Sequence, residues 1–240
     1  PLANDYVTVY ESPNPEQVFA YSPGIIRLDS GRLVATLDLG GPGVAKLIKG
    51  VKYPRRKHRS WQGRVYTSDD GGQTWQHRHN FPFMHARPFV AGDSLYVLGQ
   101  AGDLMIIRSD DAGETWSEPV KLTDGQDWHQ APCNVHYANG CVYLVMERRV
   151  THDIKTWYIG EMAPVLMRGQ LDADLTQRQN WTLASELSFR DTIPNMEKDP
   201  QIDFFGVPFF DAPYPSGSNP APRRNCAPIG WLETNVVQFV

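Results

Sequence analysis

The sequence lacks any apolar run long enough to span a bilayer as a helix, so no membrane partner is expected. Cysteine is scarce, with Cys133, Cys141 and Cys226 the only three, which excludes a disulfide framework. Cys133 and Cys141 flank an Asn139-Gly140 turn, whose geometry pairs Cys141 with Ala138 rather than with Cys133. The first residues, Pro1-Leu2-Ala3-Asn4-Asp5, show neither a charged n-region nor an apolar h-region, so a signal peptide is expected to be absent or already removed. No phosphate-cradling glycine loop and no nucleophile elbow occurs. His58, His77 and His79 have no metal-ligand spacing, and no metal or cofactor is expected. Acidic residues are missing from the whole stretch Gly40–Gly63.

Turn-formers and aromatics are plentiful. Twenty glycines, nineteen prolines and 11% aromatics suit an all-β chain rich in tight turns. The net charge of −4 is unevenly spread. Lys46, Lys49, Lys52, Arg55, Arg56, Lys57, Arg59 and Arg64 share one acid-free stretch, either a solvated loop or an electropositive rim for an anionic ligand. Apart from Tyr53 and Trp61 this stretch has no stacking aromatics, and nucleic acid is not expected as a partner.

One octapeptide occurs twice. Ser68-Asp69-Asp70-Gly71-Gly72-Gln73-Thr74-Trp75 and Ser109-Asp110-Asp111-Ala112-Gly113-Glu114-Thr115-Trp116 both fit S-x-D-x-G-x-T-W, 41 residues apart. Ser and Asp side chains cap backbone N–H groups, Gly supplies conformational freedom, and Trp packs beneath the turn. Asp70, Trp75, Asp111 and Trp116 are therefore structural. The spacing is that of one four-stranded blade. Short β-branched and aromatic runs bounded by turns repeat around the octapeptides, with blade openings near residues 21, 85, 129 and 232 and a degenerate octapeptide at Asp172–Trp181.

The octapeptides resemble the Asp-box of the sialidase (BNR-repeat) superfamily, and that resemblance implies a β-propeller of six or seven four-stranded antiparallel blades. Residues 1–240 then form one domain holding three to four N-terminal blades, with a Pro- and Phe-rich insertion at 188–229. In that superfamily the innermost strands open toward the ligand. Here the openings are Tyr21-Ser22-Pro23-Gly24, His85-Ala86-Arg87-Pro88 and His129-Gln130-Ala131-Pro132, two of them H-x-x-P.

The chain departs from the sialidase pattern where the substrate-gripping arginine of the first inner strand is replaced by Tyr21, and where the acid/base loop has no acid. The residue types are more similar to those of the ulvan lyases and related rhamnose–glucuronate-cleaving propellers. That similarity implies β-elimination on an anionic, uronate-containing polysaccharide by a secreted or periplasmic enzyme, with His85, His129 and Tyr21 transferring protons. Arg87, Gln130, Arg149, Glu233 and Asn235 are the expected substrate-binding residues. The rival expectations are a sialidase-like or rhamnosidase-like exo-glycosidase and a non-catalytic glycan-binding propeller.

Overall fold

The computed structural model describes residues 5–47, 61–130, 133–152, 158–184, 186–188, 191, 203–204, 207–208 and 231–238. Three antiparallel sheets follow one another in the chain. The first has strands β1 (Phe19–Arg27), β2 (Leu33–Gly40), β3 (Gln62–Ser68) and β4 (Gln76–Phe81) in that order. The second repeats it with β5 (Met84–Ala91), β6 (Ser94–Ala101), β7 (Asp103–Ser109) and β8 (Val120–Lys121). In the third, β9 (Trp128–His129) and β10 (His136–Ala138) divide the inner edge, both pairing β11 (Cys141–Arg149), which is followed by β12 (Met162–Gln170) and β13 (Trp181–Leu183). These are consecutive blades of a β-propeller.

The second strand of each blade is buried on both faces, as stacked sheets require. One apolar layer (Val34, Val65, Phe81, Phe83, Val97, Ile107) fills the space between blades one and two. A second layer (Phe89, Leu98, Ile106, Leu144, Met146, Val165, Trp181) joins blades two and three. Among the described residues no helix is long and apolar enough to cross a membrane.

The two octapeptides form the same turn between the third and fourth strands of their blades. Ser68 Oγ donates to Asp70 Oδ1 at 2.8 Å and accepts the Gly72 N–H at 2.8 Å. The Ser109 bonds to Asp111 and Gly113 measure 2.8 and 2.9 Å. Thr74 and Thr115 N–H each reach the Asp at 2.9 Å, and Trp75 and Trp116 Nε1 donate to Gly72 and Gly113 carbonyls at 3.0 and 3.1 Å. These bonds stabilise the ionised carboxylate and hold Asp111 down at about 2, with Asp70 shifted the same way. The degenerate copy keeps the tryptophan, with Trp181 Nε1 donating to the Leu175 carbonyl at 2.8 Å.

The Asn139-Gly140 turn pairs Ala138 with Cys141, as expected. Lys46 lies in a short helix, Val44–Leu47, and Arg64 in β3. The remainder of the basic stretch, most of the 188–229 insertion and Cys226 fall outside the described residues.

Candidate functional site

Strand register brings three polar residues to one position in three blades. Leu33 and Leu95 both face the serine of their octapeptide, Ser68 and Ser109, so Asp38 and Gln100 (each five residues on) correspond. The hairpin pairs Ala91–Ser94 and Ala138–Cys141 correspond likewise, which aligns Gln100 with Glu147. Asp38, Gln100 and Glu147 stand at the same end of the three blades, and all three are buried.

Opposite them the inner strands bulge. Tyr21 faces Asp38, Met84 faces Gln100 and His129 faces Glu147. The two H-x-x-P copies are therefore out of register. His129 occupies the position facing the second strand, whereas His85 comes one residue later, inside the bulge, with φ +53°. Ser22 takes the equivalent place in blade one with φ +49°. The bulge inserts a residue that sequence spacing alone does not show. Gly99 permits the close approach, since a Cβ there would lie 2.4 Å from the Met84 carbonyl oxygen.

The bulge of blade two is held by blade one. The Asp38 carboxylate accepts the His85 N–H and, through the same approach, that of Ala86. Burial drives the Asp38 carboxyl well above the ordinary carboxylate range, opposed by these N–H groups and by the Ser22 hydroxyl. His85 Nδ1 meets Gln100 Nε2 at 2.7 Å. With the amide donating, Nδ1 is the acceptor and Nε2 carries the proton. Burial first, and the neighbouring His129 second, push the His85 imidazole down to about 3, so it is neutral at ordinary pH. The rings of His85 and His129 meet edge to face, 4.8 Å between centroids.

Glu147 does for the segment 231–238 what Asp38 does for blade two. Its Oε1 accepts the Thr234 N–H at 3.1 Å and the Thr234 hydroxyl at 3.0 Å. Its Oε2 lies 3.7 Å from His129 Nδ1. One carboxyl thus faces an imidazole with one oxygen and that segment with the other.

The expected substrate-binding residues are divided. Arg87 is 2% exposed and gives Nη1 to the Val145 carbonyl at 3.2 Å. Burial lowers its guanidinium to about 10, opposed by Cys133 and Glu147. Gln130, fully buried, donates to the carbonyls of Val145 and Thr234, both at 3.1 Å. These two are interior struts between blades rather than walls of an open pocket. Arg149 is paired with the buried Glu161 at 2.6 Å and covers the Tyr158 ring at 4.0 Å. Asn235 Oδ1 accepts the Asn134 N–H, tying the segment 231–238 to blade three. Glu233 is exposed. Tyr21 is 41% exposed and packs edge-on against Trp61 at 5.8 Å.

No group of three or more His, Cys, Asp or Glu able to hold a metal occurs among the described residues. At the opposite, hairpin end of the inner strands lies a cavity of about 590 Å³ lined by Ile26, Arg27, Asp29, Asp93, Ser94 and Tyr137, among others.

Asp38, Gln100, Glu147 and Thr234 escaped the sequence reading. Their one signal there is a polar residue inside an apolar strand, as in Leu37-Asp38-Leu39 and Met146-Glu147.

No family model matches the chain, and no curated protein does. Solved structures similar to it include an α-L-arabinofuranosidase from Lactobacillus brevis, 14% identical with a TM-score of 0.49 over 72% of this chain and 57% of that one. An α-L-arabinanase from Penicillium chrysogenum complexed with arabinobiose is 15% identical, with a TM-score of 0.42 over 68% and 48%. A Hadza microbial sialidase is 17% identical, with a TM-score of 0.44 over 70% and 37%. The chain spans less than two thirds of the length of each. At such identities and TM-scores a reaction has to follow from this chain's own residues.

Proposed function

We propose that this chain belongs to a carbohydrate-active enzyme, a propeller of six or seven blades that hydrolyses glycosidic bonds at the end where His85 and His129 meet. The observation that carries the reading is the imidazole pair itself: His85 fixed as a neutral donor by burial and Gln100, and His129 beside the buried Glu147 carboxyl. Burial makes His85 a poor proton source, so its Nε2–H serves to hold a substrate oxygen. His129, 3.7 Å from the Glu147 carboxyl, gives a proton to the leaving glycosidic oxygen as the bond to the anomeric carbon breaks. Water adds to that carbon and loses a proton to a base. Tyr21, facing Asp38 and half-exposed, offers a ring at the same end against which a sugar can lie.

Elimination beside a uronate is the second reading, favoured by the eight basic residues within 46–64. It needs a cation on the substrate carboxylate. Arg87 and Arg149 instead engage the Val145 carbonyl and Glu161, and this supports our preference for hydrolysis.

The test is to give the intact protein debranched arabinan, 4-nitrophenyl glycosides and a polyuronate. New reducing ends without the ultraviolet absorbance of an unsaturated uronate mean hydrolysis, and that absorbance means elimination. Turnover that survives His129→Ala with less than about a tenfold loss would sink the assignment.

A further inference from the structure

A non-glycine residue in the left-handed region is uncommon and costs about 1 kcal/mol or more, so it persists only where its surroundings enforce it. Five such residues occur among the described residues: Ser22, His85, Ala112, Asn139 and Glu233. Ala112 and Asn139 lie in an octapeptide and a hairpin turn. Of the other three, Ser22 and His85 stand in the inner-strand bulges of blades one and two, at φ +49° and +53°, and Glu233 in the segment 231–238, at φ +57°.

A related contact holds the chain at His85 and at Glu233. Asp38, on the second strand of blade one, takes N–H groups at His85 and Ala86. Glu147, its register equivalent on blade three, takes the N–H and hydroxyl of Thr234, the residue after Glu233. A buried carboxyl therefore holds His85 directly in one case and the residue following Glu233 in the other. Glu233 is exposed, and its charge is felt at Cys133, the thiol that also senses Arg87 and Glu147. Its chain neighbour Thr234 bonds Glu147 and Gln130, and Glu147 in turn faces His129 at 3.7 Å, so Glu233 belongs to a segment seated at the His129 end of the blades.

We propose that Glu233 is a catalytic carboxylate of this site, held in the left-handed region as His85 is. The inference rests on the hydrolytic reading given above and supplies the base it leaves open. Glu233 takes the proton from the attacking water as the water oxygen bonds to the anomeric carbon. His129 protonates the departing oxygen, so one proton is gained and one lost across the site. In the transition state the same carboxylate faces the positive charge that develops on the sugar ring, and this predicts affinity for a cationic ring.

Protonated pyrrolidine and piperidine iminosugars carry that charge and are the probes. Calorimetric titration of the intact protein should show binding of at least one of them. In Glu233→Gln the affinity should fall about 10- to 100-fold, the effect of removing the anion from a charge-assisted contact. Glu233→Asp should recover part of it, and both variants should melt with the parent. Equal binding by Glu233→Gln and the parent overturns the role of Glu233 while leaving the hydrolytic site standing. A lowered melting temperature with unchanged binding also overturns it, by showing a structural residue. No binding by the parent protein overturns the hydrolytic reading itself.

Discussion

The two ends of the blades treat polar groups in opposite ways. In the octapeptide turns a single carboxylate accepts several short-range bonds, and almost every partner lies within four residues in sequence. At the other end, buried polar groups are held across blades and incompletely. Arg87 Nε and Nη2, Gln130 Oε1 and Glu147 Oε2 have no hydrogen-bond partner among the described residues. Satisfied local turns stabilise, whereas buried polar atoms left unsatisfied cost about 1–3 kcal/mol each and are retained where a reaction or a ligand needs them. One rim is built for folding, and the other is where we propose the chemistry. Substitutions can separate the two.

The largest effect expected is on turnover. His129→Ala should lower kcat by about 10²- to 10⁴-fold, the loss of a positioned proton donor, while the melting temperature stays nearly unchanged. Steady-state kinetics beside a thermal melt is the measurement. A matching collapse of both would make His129 a core residue and erase the distinction between the ends.

Next comes the pH dependence of stability. The folded His85 imidazole titrates near 3 rather than 6.5, so between those values the unfolded chain binds more protons than the native protein. Stability from this group is complete above about 6.5 and is lost as pH falls toward 3. The slope is roughly 1.4 kcal/mol per pH unit. Asp38 acts in the opposite sense: its raised carboxyl favours the native state at low pH and loses that contribution as pH rises through the raised range. Denaturation of His85→Asn across this window should show the acid-side slope flattened. An unchanged slope would mean that His85 is solvated.

These contrasts also explain what could be read from the sequence. The octapeptide turns and their blade spacing were legible because Ser68 and Asp70 bond partners two to four residues away, a pattern that any local scan retains. The histidines stood out as a repeated H-x-x-P, yet the bulge at Met84–Arg87 displaced one copy by a residue. Asp38 and Glu147 gave only the signal of a polar residue in an apolar strand, since their partners lie 47 and 87 residues further along the chain. Arg87 looked like a clamp because its reach to the Val145 carbonyl, 58 residues away, is a property of blade packing alone.

A middle-sized effect should follow at the folding rim. Ser109→Ala deletes a 2%-exposed hydroxyl that caps Gly113 and braces Asp111. The expected cost is about 1–3 kcal/mol, read as a lowered denaturation midpoint with the slope and kcat unchanged. A changed kcat would show that the two ends are coupled.

The smallest effect tests whether the rim's charges matter as much as its turns. Arg32 lies between consecutive octapeptides, giving Nε and Nη2 to Asp69 at 2.6 and 2.8 Å and Nη1 to Glu114 at 2.6 Å. Glu114 is also paired with Arg78, so removing Arg32 leaves it a cation. Asp69 and Glu114 are 57% and 40% exposed, where water and salt weaken the attraction and ordering two long side chains offsets much of the rest. Arg32→Lys keeps the charge but loses the fork that meets Asp69 twice. The melting temperature should fall by no more than about 2 °C. At about 1 M salt, where charges are screened beyond about 3 Å, the difference should vanish. A larger fall that persists in salt would show that blade-to-blade charge pairing, rather than the capped turn, carries the stability of this rim.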